Sequence, residues 1–285
     1  MRFVLLLAAA ILTTASSQVQ KPSAQDVPLP IPAQTNVPHD AALNPKLPTI
    51  FIVGDSTARN GADLGWGDHF AALFDTTKVN IANRAVAGRS SRTYYNEGRW
   101  AAVLAEMKPG DFVLIQMGHN DGGSGPDAIV KDPKARGSIK GLGDETAQLA
   151  LAKPYTTGPL AGQTTETIHT FGWYNRKYIA DARSKGATPI LLTPTIRNIW
   201  KDGQIERDMG FRDFDFQLGE QEHVPVADMA KLEAEYLQQL GPEKTAALFP
   251  IDHTHTSAVG AEMNAKMVAT ALENINSPIA AFLRR

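Results

Sequence analysis

Short apolar runs of β-branched and aromatic residues recur along this chain, each closed by glycine or small polar residues and followed by a segment with helical spacing. Runs of this length are too short for helices and fit fully buried strands. They fall at Thr49-Ile50-Phe51-Ile52-Val53 and at 78–82, 111–117, 189–193 and 223–227. Between them the spacing predicts helices: Trp66, Phe70, Leu73 and Phe74 share one face, Trp100, Val103, Leu104 and Met107 another over 95–107, and the pattern returns at 168–184, 229–240 and 258–272. Strand and helix alternate at least four times, which predicts an α/β sandwich with a mostly parallel sheet. Open parallel sheets hold their ligands beyond the carboxyl ends of the strands, so the polar residues just after each run are where chemistry is expected.

The 285 residues, 43% hydrophobic and 20% charged, suffice for one catalytic-sized domain. A net charge of −2 and the lack of a long Lys/Arg run argue against a nucleic-acid partner. Arg2, an apolar stretch over 3–12 and small residues at Ala15 and Ser17 read as a signal peptide over 1–17, too short to span a membrane, which needs roughly 20 apolar residues. Without cysteine there is no disulfide framework, thiolate metal site or lipid anchor, and export without disulfides points to a periplasmic or secreted bacterial protein with no membrane attachment once the leader is removed. Residues 18–48, rich in Pro, Gln, Ala and Asn, read as a linker ahead of a domain at 49–285. Within that domain, 122–167 shows no convincing strand and is longer than the roughly 12–15 residues usual for an idle loop, so it is expected to shape a cleft. A polar loop is expected at 195–212. Nothing in the pattern specifies an oligomeric state.

The first run ends in Gly54-Asp55-Ser56-Thr57. A serine there is either a turn and cap residue or a nucleophile, and company elsewhere decides between the two. A serine nucleophile needs a base, and the base an orienting carboxylate. Asp252-x-x-His255 supplies both on one side of a turn, with His253 structural. A tetrahedral oxyanion needs preorganised donors, and three follow strand ends: the N–H of Ser56, the N–H of Gly88 and the side-chain amide of Asn120.

In this order Gly54-Asp55-Ser56, Gly88, Gly118-x-Asn120-Asp121 and Asp252-x-x-His255 resemble the four blocks of the SGNH (GDSL-type) hydrolases. The longer strings Gly65-Trp66-Gly67-Asp68, Asn83-Arg84-Ala85-x-x-Gly88-Arg89-Ser90-Ser91-Arg92 and Phe249-Pro250-Ile251-Asp252-His253-Thr254-His255-Thr256 are similar to the rhamnogalacturonan acetylesterase branch. The resemblance spans about 50–272. It implies a flavodoxin-like three-layer α/β/α sandwich with a five-stranded sheet. It also implies a serine esterase, with Ser56, Asp252 and His255 catalytic, that needs no cofactor or metal and releases acetate from O-acetylated plant cell-wall polysaccharide, pectic rhamnogalacturonan first. Asp55, Arg89, His119, Arg197 and Trp200 are expected to bind substrate, and Arg89, Arg92, Arg197 and Arg207 to offer a polar lining for anionic sugars.

Other readings use the same residues. An acetylxylan esterase, or a lipase or thioesterase on this scaffold, would share the nucleophile, whereas an α/β-hydrolase is disfavoured because no Gly-x-Ser-x-Gly elbow occurs. A metal-dependent hydrolase would gather His119, His253, His255 and Asp252 around zinc. A non-catalytic glycan-binding module would present Trp66, Trp100, Trp173 and Trp200 to sugars, although core packing is the expectation for Trp100 and Trp173.

Overall fold

The computed structural model describes residues 42–122, 125–131 and 136–284, so the signal-peptide reading at 1–17 and the linker up to residue 41 lie outside the described residues. The end of that linker lies against the sheet, where the Asn44 N–H donates to Asn80 Oδ1 at 2.9 Å and Lys108 Nζ donates to the Leu47 carbonyl at 2.7 Å. The first half of the chain forms β1 (Thr49–Val53), α1 (Trp66–Phe70), β2 (Asn80–Asn83), α2 (Ser91–Asn96), α3 (Arg99–Glu106), β3 (Phe112–Ile115), α4 (Pro126–Lys131), β4 (Ala147–Ala150) and β5 (Thr165–Ile168). The second half forms α5 (Phe171–Ser184), β6 (Thr188–Leu192), β7 (Trp200–Lys201), β8 (Gln204–Ile205), α6 (Arg212–Glu222), β9 (Val226–Ala227), α7 (Met229–Leu240), α8 (Pro242–Leu248) and α9 (Ala258–Asn274).

Five strands make the central sheet in the order β2-β1-β3-β6-β9, every neighbouring pair parallel. Counting only these strands, the order is 2-1-3-4-5, the flavodoxin-like arrangement. Successive residues of a strand point to opposite faces. Ile50, Ile52, Leu114, Ile190 and Leu192 pack beneath α1 and α9, while Phe51, Val53, Val113, Ile115 and Leu191 pack beneath α2, α3, α5 and α6. Because helices cover both faces, the strands read as unbroken apolar runs, and the three layers expected are present.

Local departures have identifiable causes. The helix expected over 95–107 is two helices, α2 and α3, separated at Gly98, whose φ of +76° is left-handed and whose Cα side is pressed against the backbone of Gly158. The 122–167 segment, expected to lack strands, contains α4 and an antiparallel β4–β5 hairpin. Its inner face takes the buried Glu166, so no apolar alternation announces it. A second small hairpin, β7–β8, sits in the 195–212 loop. Gly241-Pro242 ends α7 and also starts α8, with proline at the first helical position, where its missing N–H costs nothing.

Candidate active site

The loops after β1, β2, β3 and β6 all leave the same edge of the sheet. After β1 the chain turns tightly: the Asp55 carbonyl accepts the N–H groups of Ala58 and Arg59 at 3.2 and 3.0 Å, and Asp55 Oδ1 accepts the Thr57 N–H and hydroxyl, both at 2.9 Å. Gln116, just past β3, braces this turn from below. Its Oε1 accepts Trp66 Nε1–H at 2.7 Å and the Thr57 hydroxyl at 3.3 Å, and its Nε2 donates to the Thr193 carbonyl at 2.9 Å. One amide thus joins the ends of β1, β3 and β6, and Ser56 sits on the braced turn with 9% of its surface exposed.

The partner arrives from the other end of the chain. Ser257 caps α9 by accepting the Gly260 N–H, and the residues before it form a turn around Asp252. Asp252 Oδ1 accepts the N–H groups of Thr254 and His255 at 2.7 and 2.8 Å, and Oδ2 accepts His255 Nδ1–H at 2.7 Å. A carboxylate only accepts, so Nδ1 carries the proton and Nε2 is left as a basic lone pair. Ser56 Oγ lies 2.8 Å from that Nε2. Burial alone would push the Asp252 carboxyl up, but the hydrogen bonds from the His255 ring and the two backbone N–H groups hold it down at about 2, so it stays ionised beneath the ring. The arrangement can withdraw the serine proton and hold the resulting imidazolium. His253 has an exposed side chain, and its carbonyl accepts the Asn198 N–H at 2.7 Å.

Gly88 adopts φ +76°, a conformation that favours glycine, and its loop is drawn to β1 by the Val86 N–H donating to the Gly54 carbonyl at 3.0 Å. Asn120 Nδ2 donates to the Arg89 carbonyl at 3.3 Å, so the loops after β2 and β3 meet, and the amide carries a second N–H. Among the described residues no protein acceptor takes the N–H of Ser56 or Gly88. Asp121 holds the assembly from behind: buried, it accepts from the Ser91 N–H and hydroxyl and from the Ser138 hydroxyl at 2.8 Å. Burial pushes its carboxyl up despite these donors.

The residues expected to bind substrate are mostly engaged with the protein. Asp55, expected to bind substrate, is 1% exposed and shapes the turn that carries Ser56. Arg89 pairs with Glu97 at 3.0 Å, and Arg197 forms a two-point pair with Glu206 at 2.7 and 2.6 Å. Arg92 is 2% exposed and bound to Glu166, so it offers no lining at all. Trp200 Nε1 donates to Asn198 Oδ1 at 2.8 Å, and its ring packs on the small cluster around α7 and α8. His119 Nε2 lies 2.8 Å from Thr195 Oγ1, and burial pushes its ring down, keeping it neutral at neutral pH. Trp66 and Trp100 are fully buried, as expected of Trp100; Trp173 is half-buried. Among the described residues no group of three or more His, Asp or Glu side chains is gathered to hold a metal ion.

Sequence reasoning assigned no role to Gln116, read only as part of a strand, or to Glu233. Glu233, on α7, is fully buried, and its Oε2 accepts the Ile196 N–H at 2.7 Å, steadying the loop that carries Thr195, Arg197 and Asn198. Its Oε1 and Asn264 Oδ1, both buried, have no hydrogen-bond partner among the described residues. Burial pushes this carboxyl up to about 8, against the hydrogen bond from the Ile196 N–H, so it is protonated at neutral pH and Oε1 becomes a donor. Unfolded, the group titrates near 4.5, so between there and about 8 the unfolded chain sheds a proton that the folded one keeps, and stability falls with rising pH. Glu233→Gln keeps donor and acceptor without that proton. Its melting temperature is therefore expected to gain on the wild type as pH rises from about 4.5 to 8; parallel melting curves would remove the protonated carboxyl from the account.

Residues 50–268 match the family model described as GDSL-like lipase/acylhydrolase. The chain belongs to that family. It is a carboxylic ester hydrolase with the fold expected from its blocks. Relatives of this GDSL-type chain include a rhamnogalacturonan acetylesterase of Emericella nidulans, 32% identical over 75% of this chain and 80% of the relative. A probable rhamnogalacturonan acetylesterase of Bacillus subtilis, YesY, is 31% identical over 81% and 94%. Among solved structures the Bacillus subtilis protein YxiM has a similar fold, with a TM-score of 0.61 at 24% identity; the match covers 81% of this chain and 57% of that one. Among the described residues of this GDSL-type hydrolase no helix is long and apolar enough to cross a membrane.

Proposed function

We propose that the protein is a secreted serine esterase that removes acetyl groups from O-acetylated plant cell-wall polysaccharide, with pectic rhamnogalacturonan as the preferred substrate. The observation that carries the chemistry is the unbroken line from Ser56 Oγ through the His255 ring to Asp252, at 2.8 and 2.7 Å. The substrate class is supported by relatives named for rhamnogalacturonan acetyl esters at 29–32% identity.

The geometry supports the following steps. His255 Nε2 takes the Ser56 proton as Oγ attacks the acetyl carbonyl, and the oxyanion is met by the N–H groups of Ser56 and Gly88 and the amide of Asn120. Collapse breaks the bond to the sugar oxygen, which leaves with the proton from the imidazolium. Water, deprotonated by the same ring, attacks the acetyl-Ser56 ester; acetate departs and Oγ recovers its proton. Asp252 stays ionised throughout and fixes the ring. One lost oxyanion donor typically costs about 10²- to 10³-fold in kcat, so Asn120→Ala is expected to fall in that range with little change in KM. A loss below threefold in steady-state assays would take Asn120 out of the hole.

Acetate release from a panel of acetylated rhamnogalacturonan, homogalacturonan and xylan tests the substrate. The expected order puts rhamnogalacturonan first. Release from xylan alone, or from none of the three while an aryl acetate is turned over, overturns the reading.

A further inference from the structure

Away from Ser56, a cavity of about 150 Å³ opens between the end of α2, the start of α5 and the strand β5. A cavity of roughly this size holds one six-membered ring. Its wall carries Tyr95, His169 and Trp173, all half-buried; Asn96 lies buried at its floor, and Gln163 and Thr165 stand exposed at its rim. His169 and Trp173 lie face to face, 3.9 Å between centroids and 11° between planes, and Tyr95 meets Trp173 edge-on at 5.9 Å.

Aromatic faces beside amide and hydroxyl groups match the two surfaces of a pyranose, whose C–H face is apolar and whose equatorial hydroxyls donate and accept. Among the described residues the lining holds no Lys, Arg, Asp or Glu, and burial pushes the His169 ring down, so the cavity is uncharged at neutral pH. The charges nearby cancel beneath the floor, where Arg92 and Glu166 bind each other.

We infer that this cavity is a sugar subsite that holds one uncharged pyranose unit of the polysaccharide while a neighbouring unit presents its ester to Ser56. The inference rests on the proposed polysaccharide substrate and adds a second point of attachment for it. Along the chain the cavity is tied to the loop of Gly88 by α2, whose six residues start just after that loop, span about 9 Å and end at the cavity. It also gives the 122–167 insertion a task, since β5 and the segment before it form one side of the cavity.

The test compares wild type, Trp173→Ala and a rim variant, Gln163→Ala with Thr165→Ala, whose exposed side chains can be removed without opening the core. Binding of de-esterified rhamnogalacturonan oligosaccharides is measured by calorimetry, and kcat and KM on acetylated polymer and on an aryl acetate by steady-state assay. Trp173→Ala is expected to weaken oligosaccharide binding and raise the polymer KM by about five- to tenfold, and the rim variant by about threefold, with aryl acetate turnover unchanged. Unchanged binding and polymer KM in the rim variant and in a folded Trp173→Ala overturn the subsite while leaving the esterase reading intact. Should Trp173→Ala fail to fold, the rim variant alone decides. Oligosaccharide binding that depends on these residues, in a protein that releases no acetate from any polysaccharide, would sink the substrate assignment and keep the subsite.

Discussion

Replacing Ser56 or His255 by alanine is expected to lower kcat on an aryl acetate by about 10⁴- to 10⁶-fold, the scale at which a serine–histidine unit fails when either member is lost. The side chain removed at position 56 is small, and its hydroxyl points to His255, so the fold should be undisturbed and the melting temperature little changed. The double variant should be no worse than either single one, because the two residues act as one unit. Ordinary additivity of the two losses, or turnover by Ser56→Ala near that of the wild type, would show that another group attacks the ester.

Glu166→Ala is expected to cost about 3–5 kcal/mol of stability, read as a lower urea midpoint, because it leaves a buried guanidinium without its counter-charge. Glu166 is 1% exposed and accepts from Arg92 Nε at 2.5 Å, Arg92 Nη2 at 2.8 Å, Asn96 Nδ2 at 2.6 Å and the Tyr155 hydroxyl at 3.3 Å. These donors come from α2 and from the insertion, so the pair fastens the β4–β5 hairpin to the body of the domain. Activity on a small ester should survive at low temperature, since Ser56 and His255 lie on other elements. A variant as stable as the wild type would mean that the hairpin is held by the packing of Ala147 and Ile168 against Ile129 and Ile139 rather than by this charge pair.

The five-stranded sheet was legible because both its faces are covered, which turns strands such as Phe112–Ile115 into continuous apolar runs. That Ser56, Gly88, Asn120, Asp252 and His255 converge at one rim was legible because each sits in a short block at a strand end or turn, where residue type and local spacing carry the signal. The roles of the arginines were not. Glu166, which neutralises Arg92, lies 74 residues away, and Glu206, which engages Arg197, is reached only through the β7–β8 hairpin. A charged residue read alone looks solvated; its partner is a tertiary fact. The same holds for the break at Gly98, set against the distant backbone of Gly158; Glu233 lies on the buried stripe that helical spacing gives α7, but its protonation follows from how completely the tertiary packing closes over it.

Ser56 and His255 are 199 positions apart in the chain, and the turn carrying the imidazole is fixed by α9, which packs against α1 beside the serine. Synthesis therefore delivers the alcohol early and its proton acceptor almost last. A polypeptide that stops before residue 255 lacks both the imidazole and all of α9, so on the proposed mechanism ester cleavage requires the chain through that turn.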